Sequence, residues 1–112
     1  MSFDWSDVAE LVKGVQRTQV WGFNVYVEVD DAYVDEIDDN DFDIDVYLKA
    51  YGDATVRDDY EYRRLQDGLQ SAARTIMDRI DDALRRYHNS YGFGYRFRIK
   101  DFSTDDIDID SY

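Results

Sequence analysis

The sequence predicts one α+β domain of 112 residues, and three periodic segments carry that prediction. Residues 20–29 and 41–51 alternate apolar and polar side chains, which is typical of β-strands with one buried face. Residues 56–87 instead repeat apolar side chains every three or four positions, which is typical of an amphipathic helix. We therefore expect a two-layer α-β-β-α-β(-β) fold. A three- to four-stranded, mostly antiparallel sheet would pack on a short N-terminal helix and one long helix.

The short helix is predicted over residues 4–13, where Val8, Leu11 and Val12 share one face and Gly14 can end the helix. The first strand follows over residues 20–29. Its core face is expected to hold five apolar side chains: Trp21, Phe23, Val25, Val27 and Val29.

The second strand, residues 41–51, directs Asp41, Asp43 and Asp45 outward and an unbroken apolar row inward. Between the two strands, residues 30–40 are expected to form an exposed acidic connector, too long for a tight hairpin. We expect one helical turn in this connector.

The long helix is expected from Val56 to Tyr87, with Thr55 and Asp58 resembling a capping box. A straight helix of this length spans roughly 48 Å, more than the width of a small domain. Either Gly68 bends it, or one end projects and contacts a second protomer.

A third strand is predicted over residues 91–99, with Arg96, Arg98 and Lys100 on its outer face. Residues 101–112 carry five Asp and no base. We expect this segment to be an acidic tail or an edge strand that folds back, placing its Asp row beside those three bases.

Charge is distributed unevenly along the chain, whose formal net charge is −13. Residues 28–59 contain 13 acids against two bases, whereas residues 60–100 contain five acids against nine bases. Such a charge repels nucleic acid and anionic lipid, so neither is an expected partner. No apolar stretch reaches the roughly 18 residues that span a membrane. The absence of cysteine excludes disulfides and thiol chemistry.

The sequence gives little support to enzyme or metal chemistry. Asp39, Asp41 and Asp43 match the first positions of a calcium loop, but Ile44 stands where the loop needs Gly. Asp45 and Lys49 lack the further carboxylate of a metal-dependent nuclease. The single histidine, His88, is expected near a helix end, where a cation suits the helix dipole. We expect no catalytic residue, metal or cofactor.

The acidic middle of the chain is the expected partner-binding surface. Outward carboxylates on a strand repeat about every 6.6 Å, and tyrosines that anchor interfaces lie among them. A basic nucleic-acid channel would be attracted to such a face. The predicted binding residues are Asp30, Asp31, Tyr33, Asp35, Glu36, Asp38, Asp39, Asp41, Asp43, Asp45, Tyr47, Tyr51, Asp58 and Asp59.

In size, charge, aromatic content and its Asp-Asp pairs at 30–31, 38–39 and 58–59, the chain resembles small acidic inhibitors of phages and mobile elements. These are the anti-CRISPR and anti-restriction DNA mimics, and the resemblance is to the class and includes no family motif. It implies a monomer or homodimer in the bacterial cytoplasm. Such a protein blocks a basic nucleic-acid-binding protein, a nuclease or a CRISPR effector.

Three other readings stay open. The same acidic face suits an immunity protein or antitoxin that neutralises a basic nuclease toxin. It also suits a protein adapted to high salt, whose acids only bind solvent, although the near-neutral long helix argues against this. A secretion chaperone that dimerises through its long helix would need an exposed apolar groove.

Overall fold

A computed structural model of the chain describes residues 5–38, 41–91 and 94–111. It has the α+β fold that the sequence predicts, with two helices packed on a four-stranded mixed sheet. The elements in chain order are α1 (Trp5–Lys13), β1 (Thr18–Gln19), β2 (Asn24–Asp38), β3 (Asp41–Val56), α2 (Asp59–Tyr91) and β4 (Gly94–Ser111).

The strands lie in the order β1-β2-β3-β4, and two of the three pairings are antiparallel. The third, between β3 and β4, is parallel. Its direction follows from connectivity, because α2 carries the chain back along the sheet before β4 begins. The outer edge of β4 is therefore one edge of the sheet.

The core lies between the helices and one face of the sheet. Alternate residues of β3 are buried from Phe42 to Ala50, as the sequence predicts. They meet the apolar stripe of α2, in which Ile76, Ile80 and Leu84 are fully buried. α1 adds further apolar side chains to the same cluster. The opposite face of the sheet, which we call the open face, carries the polar residues of each strand.

The expected connector over residues 30–40 is wrong, because β2 continues through it to Asp38. The apolar phase of the strand changes at this point, from odd positions ending at Val29 to even positions beginning at Ala32. A register shift between Val29 and Asp31 leaves Asp30 as the extra residue of a bulge. A bulge resets the two-residue alternation without ending the strand.

The strand predicted over residues 20–29 corresponds to β2, which begins later than expected, at Asn24. Residues 21 and 22 form a turn, and Trp21, predicted to be inward, is 83% exposed. Gly22 has a φ of +84°, a conformation that glycine adopts without strain. Val25 and Val27 are buried as predicted.

α2 begins three residues later than predicted and extends further. Asp58, not Thr55, caps it by accepting a hydrogen bond from the Glu61 N–H at 2.8 Å. The Glu61 carboxylate in turn accepts the Arg57 N–H at 2.9 Å. The 33 residues of α2 fit without a bend or a projecting end. The long strands β2, β3 and β4 extend about as far as the helix does, and the molecule is 57 Å along its longest axis.

Gly68 lies within α2 and has a packing role. A Cβ built on it would lie 2.6 Å from Cγ1 of Val20, which is fully buried. The missing side chain therefore lets the helix approach the residue that follows β1.

The prediction that residues 101–112 fold back is wrong for the described part of this segment. Residues 101–111 continue β4 in the same direction, as an edge strand beside β3. The bases Arg96 and Arg98 consequently lie next to Asp43 and Asp45 of β3, and not next to the Asp row of the tail. Neither described helix has a stretch long and apolar enough to cross a bilayer.

Candidate partner-binding surface

The predicted binding residues divide into two groups on the structure. Those in the middle of the open face are engaged with bases or tyrosines of the same chain. Those at one end of the β2–β3 hairpin have no such partner among the described residues. The difference follows from where the bases of β4 and of the N-terminal region meet the sheet.

Two bases of β4 neutralise the central Asp pair of β3. Nε of Arg98 lies 2.8 Å from Oδ1 of Asp45, and Nε of Arg96 lies 3.2 Å from Oδ1 of Asp43. The carboxylate of Asp45 raises the pKa of Arg98 through this hydrogen bond. Sequence reasoning assigned these bases to the tail. The β3-α2-β4 order was the missed signal, because a helical crossover joins parallel strands.

Lysines engage the next acids of β2. Lys49 lies 3.4 Å from Glu28 and 3.6 Å from Asp30, and the pKa of Lys49 is raised chiefly by Glu28. Lys13, at the end of α1, lies 3.3 Å from Asp31. These contacts leave little uncompensated charge in this part of the open face.

Asp31 also organises its own strand. Its carboxylate accepts the N–H of Ala32 at 2.9 Å, and this bond is the main cause of its lowered pKa. Hydrogen bonds from Tyr33 and Lys13 lower it further. The Tyr33 hydroxyl correspondingly has a raised pKa, chiefly because it donates to Asp31.

Tyrosines line the open face in two cross-strand groups. Tyr33 and Tyr47 meet edge to face with ring centroids 5.5 Å apart, and Tyr33 is 56% exposed. Tyr51 stacks on Tyr26 at 5.8 Å. Arg17 lies 4.2 Å above the Tyr26 ring and donates to the Tyr51 hydroxyl at 2.5 Å. Sequence reasoning missed Tyr26 and Arg17, although the strand alternation already placed Tyr26 on the outward face.

We call residues 35–41 the acidic tip. This segment has five acids in seven residues and no base. Asp35, Glu36 and Asp41 are exposed, and none of them forms an ion pair within the described residues. The side chains of Asp38 and Asp39 lie outside the described part. The tip and the adjacent Tyr33–Tyr47 pair form the candidate site.

The remaining predicted residues, Asp58 and Asp59, are not part of this surface. Asp58 caps α2 and Asp59 opens its first turn, where carboxylates suit the helix dipole. The side chain of His88, in the C-terminal part of α2, lies outside the described residues. Asp58 and Asp59 therefore add nothing to the tip.

A second group of free carboxylates lies at the other end of the molecule. Asp106, Asp108 and Asp110, which we call the tail row, are exposed on β4. In the register with β3 they lie beside Tyr51, Asp53 and Thr55, so they belong to the open face. Over the ranges that the structure describes, no base pairs with the tail row.

The acids of this chain do not converge as metal ligands do. Among the described side chains, no group of three or more His, Asp or Glu residues is placed to hold a metal ion. The tail row is a strand surface on which carboxylates repeat at every second residue, and the described acids of the tip lie at the ends of β2 and β3. No family model, curated protein or solved structure matches the chain.

Proposed function

We propose that this chain is a non-enzymatic acidic inhibitor that mimics the charge of nucleic acid and blocks a basic nucleic-acid-binding surface of a bacterial defence protein. The observation that carries the proposal is the contrast between Asp43 and Asp45, which pair with bases of β4, and the exposed Asp35, Glu36 and Asp41, which form no ion pair within the described residues. Negative charge that would destabilise a compact chain is left exposed at this end of the hairpin, as it is in the tail row at the other end of the molecule.

The surroundings of the tip support a protein partner. Tyr33 and Tyr47 lie beside it, and tyrosine supplies a large contact area at a small cost in conformational entropy. Their edge-to-face contact holds the rings in a fixed geometry before any partner arrives. A basic groove could therefore meet charge and an ordered aromatic anchor together.

The ion pairs of Asp43 and Asp45 support the proposal because they fix the orientation of the neighbouring tip. The ion pairs of Asp43 and Asp45 link β3 to β4, and register pairs link β3 to β2 up to Asp38. The described residues of the tip, 35–38 and 41, thus belong to the ends of β2 and β3. Ordered charge loses less entropy on binding than charge on a flexible segment.

The test is a charge reversal confined to the tip. The tagged chain and the variant Asp35→Lys/Glu36→Lys/Asp41→Lys are used to capture proteins from bacterial lysate at low salt. The control variant Asp67→Lys/Asp78→Lys/Asp82→Lys makes the same charge change on exposed positions of α2. Circular dichroism and urea unfolding establish that all three chains fold.

We expect the parent and the α2 control to retain one nucleic-acid enzyme that DNA or salt displaces, and the tip variant to lose it. A captured defence nuclease or CRISPR effector supports the inhibitor, whereas a nuclease toxin would instead identify an immunity protein. Equal capture by the tip variant overturns the proposal. A chain that folds only in molar salt and retains nothing would have an acidic surface that serves solvation alone.

A further inference from the structure

The outer edge of β4 has an internal charge symmetry that no function described above uses. Its first half carries Arg96, Arg98 and Lys100, which we call the basic row, and its second half carries the tail row. The two rows contain three charges each and have the same two-residue spacing. Ser103 lies midway between them.

We infer that β4 pairs antiparallel with β4 of a second copy of this chain, centred on Ser103. A strand paired with itself in this way has two-fold symmetry, so each contact occurs twice. Arg96 then faces the partner's Asp110, Arg98 faces the partner's Asp108, and Lys100 faces the partner's Asp106. Opposite charges directly across an antiparallel pair stabilise it.

The helix-side residues match in the same register. Phe97 faces the partner's Ile109, and Ile99 faces the partner's Ile107. Phe97, Ile99 and Ile107 pack only partly against the core, and Ile109 is 43% exposed. One alignment therefore places opposite charges across the open face and apolar contacts across the other, and leaves one like-charge contact, Asp101 with the partner's Asp105.

Registers shifted by two residues keep only two of the three opposite-charge pairs. Sliding the pair by two residues in one direction sets Lys100 opposite the partner's Thr104 and Ile99 opposite its Asp105. Sliding it the other way sets Phe102 opposite the partner's Asp106. The alternation of side chains in strands makes a wrong register costly wherever one face is apolar.

The structure leaves this edge available. β4 ends the sheet, so the backbone groups on its outer side form no ladder with any other strand that the structure describes. A long unpaired edge is a template for another strand. Arg96 and Arg98 already bond Asp43 and Asp45 through Nε, which leaves the other guanidinium N–H groups to donate to a partner.

The two irregularities of β4 fit the same centre. Against β3, the strand has an extra residue at Lys100 and another at Thr104–Asp105, on either side of Ser103. The two shifts restore the original phase. The tail row and the first two residues of the basic row, Arg96 and Arg98, therefore all pair with odd-numbered residues of β3, on the open face.

The first test measures mass by light scattering over a range of protein concentrations. We expect a species of twice the 13.3 kDa chain mass. Lys100→Glu and Asp106→Lys should each raise the dimer dissociation constant roughly tenfold or more, since each places like charges opposite one another twice. Arg63→Glu on α2 makes the same change as Lys100→Glu at an exposed site away from β4 and should have no effect.

Mixing distinguishes the register from a general charge effect. The Lys100→Glu chain and the Asp106→Lys chain should form a heterodimer together, because both contacts of that pair join opposite charges. Asp105→Lys should tighten the parent dimer, because Asp105 otherwise faces the partner's Asp101. Failure of the two variants to associate, while the parent dimerises, would overturn this register.

Crosslinking tests the centre directly. The chain has no cysteine, so Ser103→Cys introduces a single thiol. Residues opposite one another in an antiparallel pair have Cα atoms about 4.5–5.5 Å apart, within the range that a disulfide bridges. Oxidation should give a covalent dimer of Ser103→Cys and not of Ser71→Cys on α2. A parent chain that stays monomeric at every concentration overturns the inference.

Discussion

Arg98 on β4 and Asp45 on β3 lie side by side in the parallel register, with Nε of Arg98 donating to Oδ1 of Asp45 at 2.8 Å. Arg96 and Asp43 repeat the arrangement one pleat earlier. Two of the 13 acids in residues 28–59 are therefore paired with bases from a distant segment. The described acids that form no ion pair include Asp35, Glu36 and Asp41 of the tip and the tail row.

This arrangement predicts different effects for two Asp residues of β3. Asp45→Lys should lower the urea midpoint of unfolding, because the new cation faces Arg98. Asp41→Lys should leave the midpoint equal or raise it, because Asp41 is exposed and reversal reduces the net repulsion. High salt should shrink both differences. Equal midpoints for the two variants at low salt would contradict the pairing.

The contact between Gly68 and Val20 predicts an inverted glycine effect. Alanine in a helix interior normally gains about 1 kcal/mol over glycine. Here Gly68→Ala should destabilise by about 1–3 kcal/mol, because its Cβ would overlap Val20. In a Val20→Ala background the same change should become neutral or stabilising. Urea unfolding of the four chains measures this coupling, and additive effects would rule out the close approach.

The apolar stripe of α2 should carry much of the stability. Ile80 is fully buried, so Ile80→Ala should lower the unfolding free energy by about 2–5 kcal/mol. Gln66→Ala, at an exposed position of the same helix, should change it by less than about 0.5 kcal/mol. Thermal and urea unfolding both measure this contrast. Similar losses in the two variants would mean that α2 does not pack on the sheet.

Asp31 predicts a specific acid dependence. Its pKa is lowered in the folded chain from the ordinary 3.8, so its stabilising contribution is complete above that pH. This contribution is lost as the pH falls below 3.8 and passes through the lowered pKa of Asp31 in the folded chain. Asp31→Asn should flatten this part of the curve of unfolding free energy against pH, because the asparagine amide does not titrate. Parallel curves for the parent and Asp31→Asn would contradict the assignment.

Local patterns in the sequence were sufficient for much of the fold. The stripe of α2 and the alternation of β3 were readable because each depends on residues a few positions apart. The bulge at Asp30 was not, because a change of phase in an apolar pattern looks the same whether the strand ends or an extra residue is inserted. The acidic segment around it was therefore interpreted as a connector.

The sequence located the acids and tyrosines of the candidate site, but it did not show which of those acids pair with bases. Composition located the acids and tyrosines between Asp30 and Tyr51. Their neutralisation depended on which strand lies beside β3, and that pairing joins residues 53 positions apart in the case of Arg98 and Asp45. Net charge by segment contains no such information, so the free acids could be identified only once the sheet was assembled.

The parallel pairing of β3 with β4 also constrains the order of folding. The β2–β3 hairpin joins neighbouring segments, whereas β4 can dock only after α2 has crossed the sheet, and non-local pairing is slow. Until then, Asp43 and Asp45 lack the cations that they face in the finished sheet. We therefore expect refolding to accelerate with ionic strength. During synthesis the acidic hairpin emerges before β4. We expect its negative charge to repel other copies of the hairpin until Arg96 and Arg98 are synthesised and pair with Asp43 and Asp45.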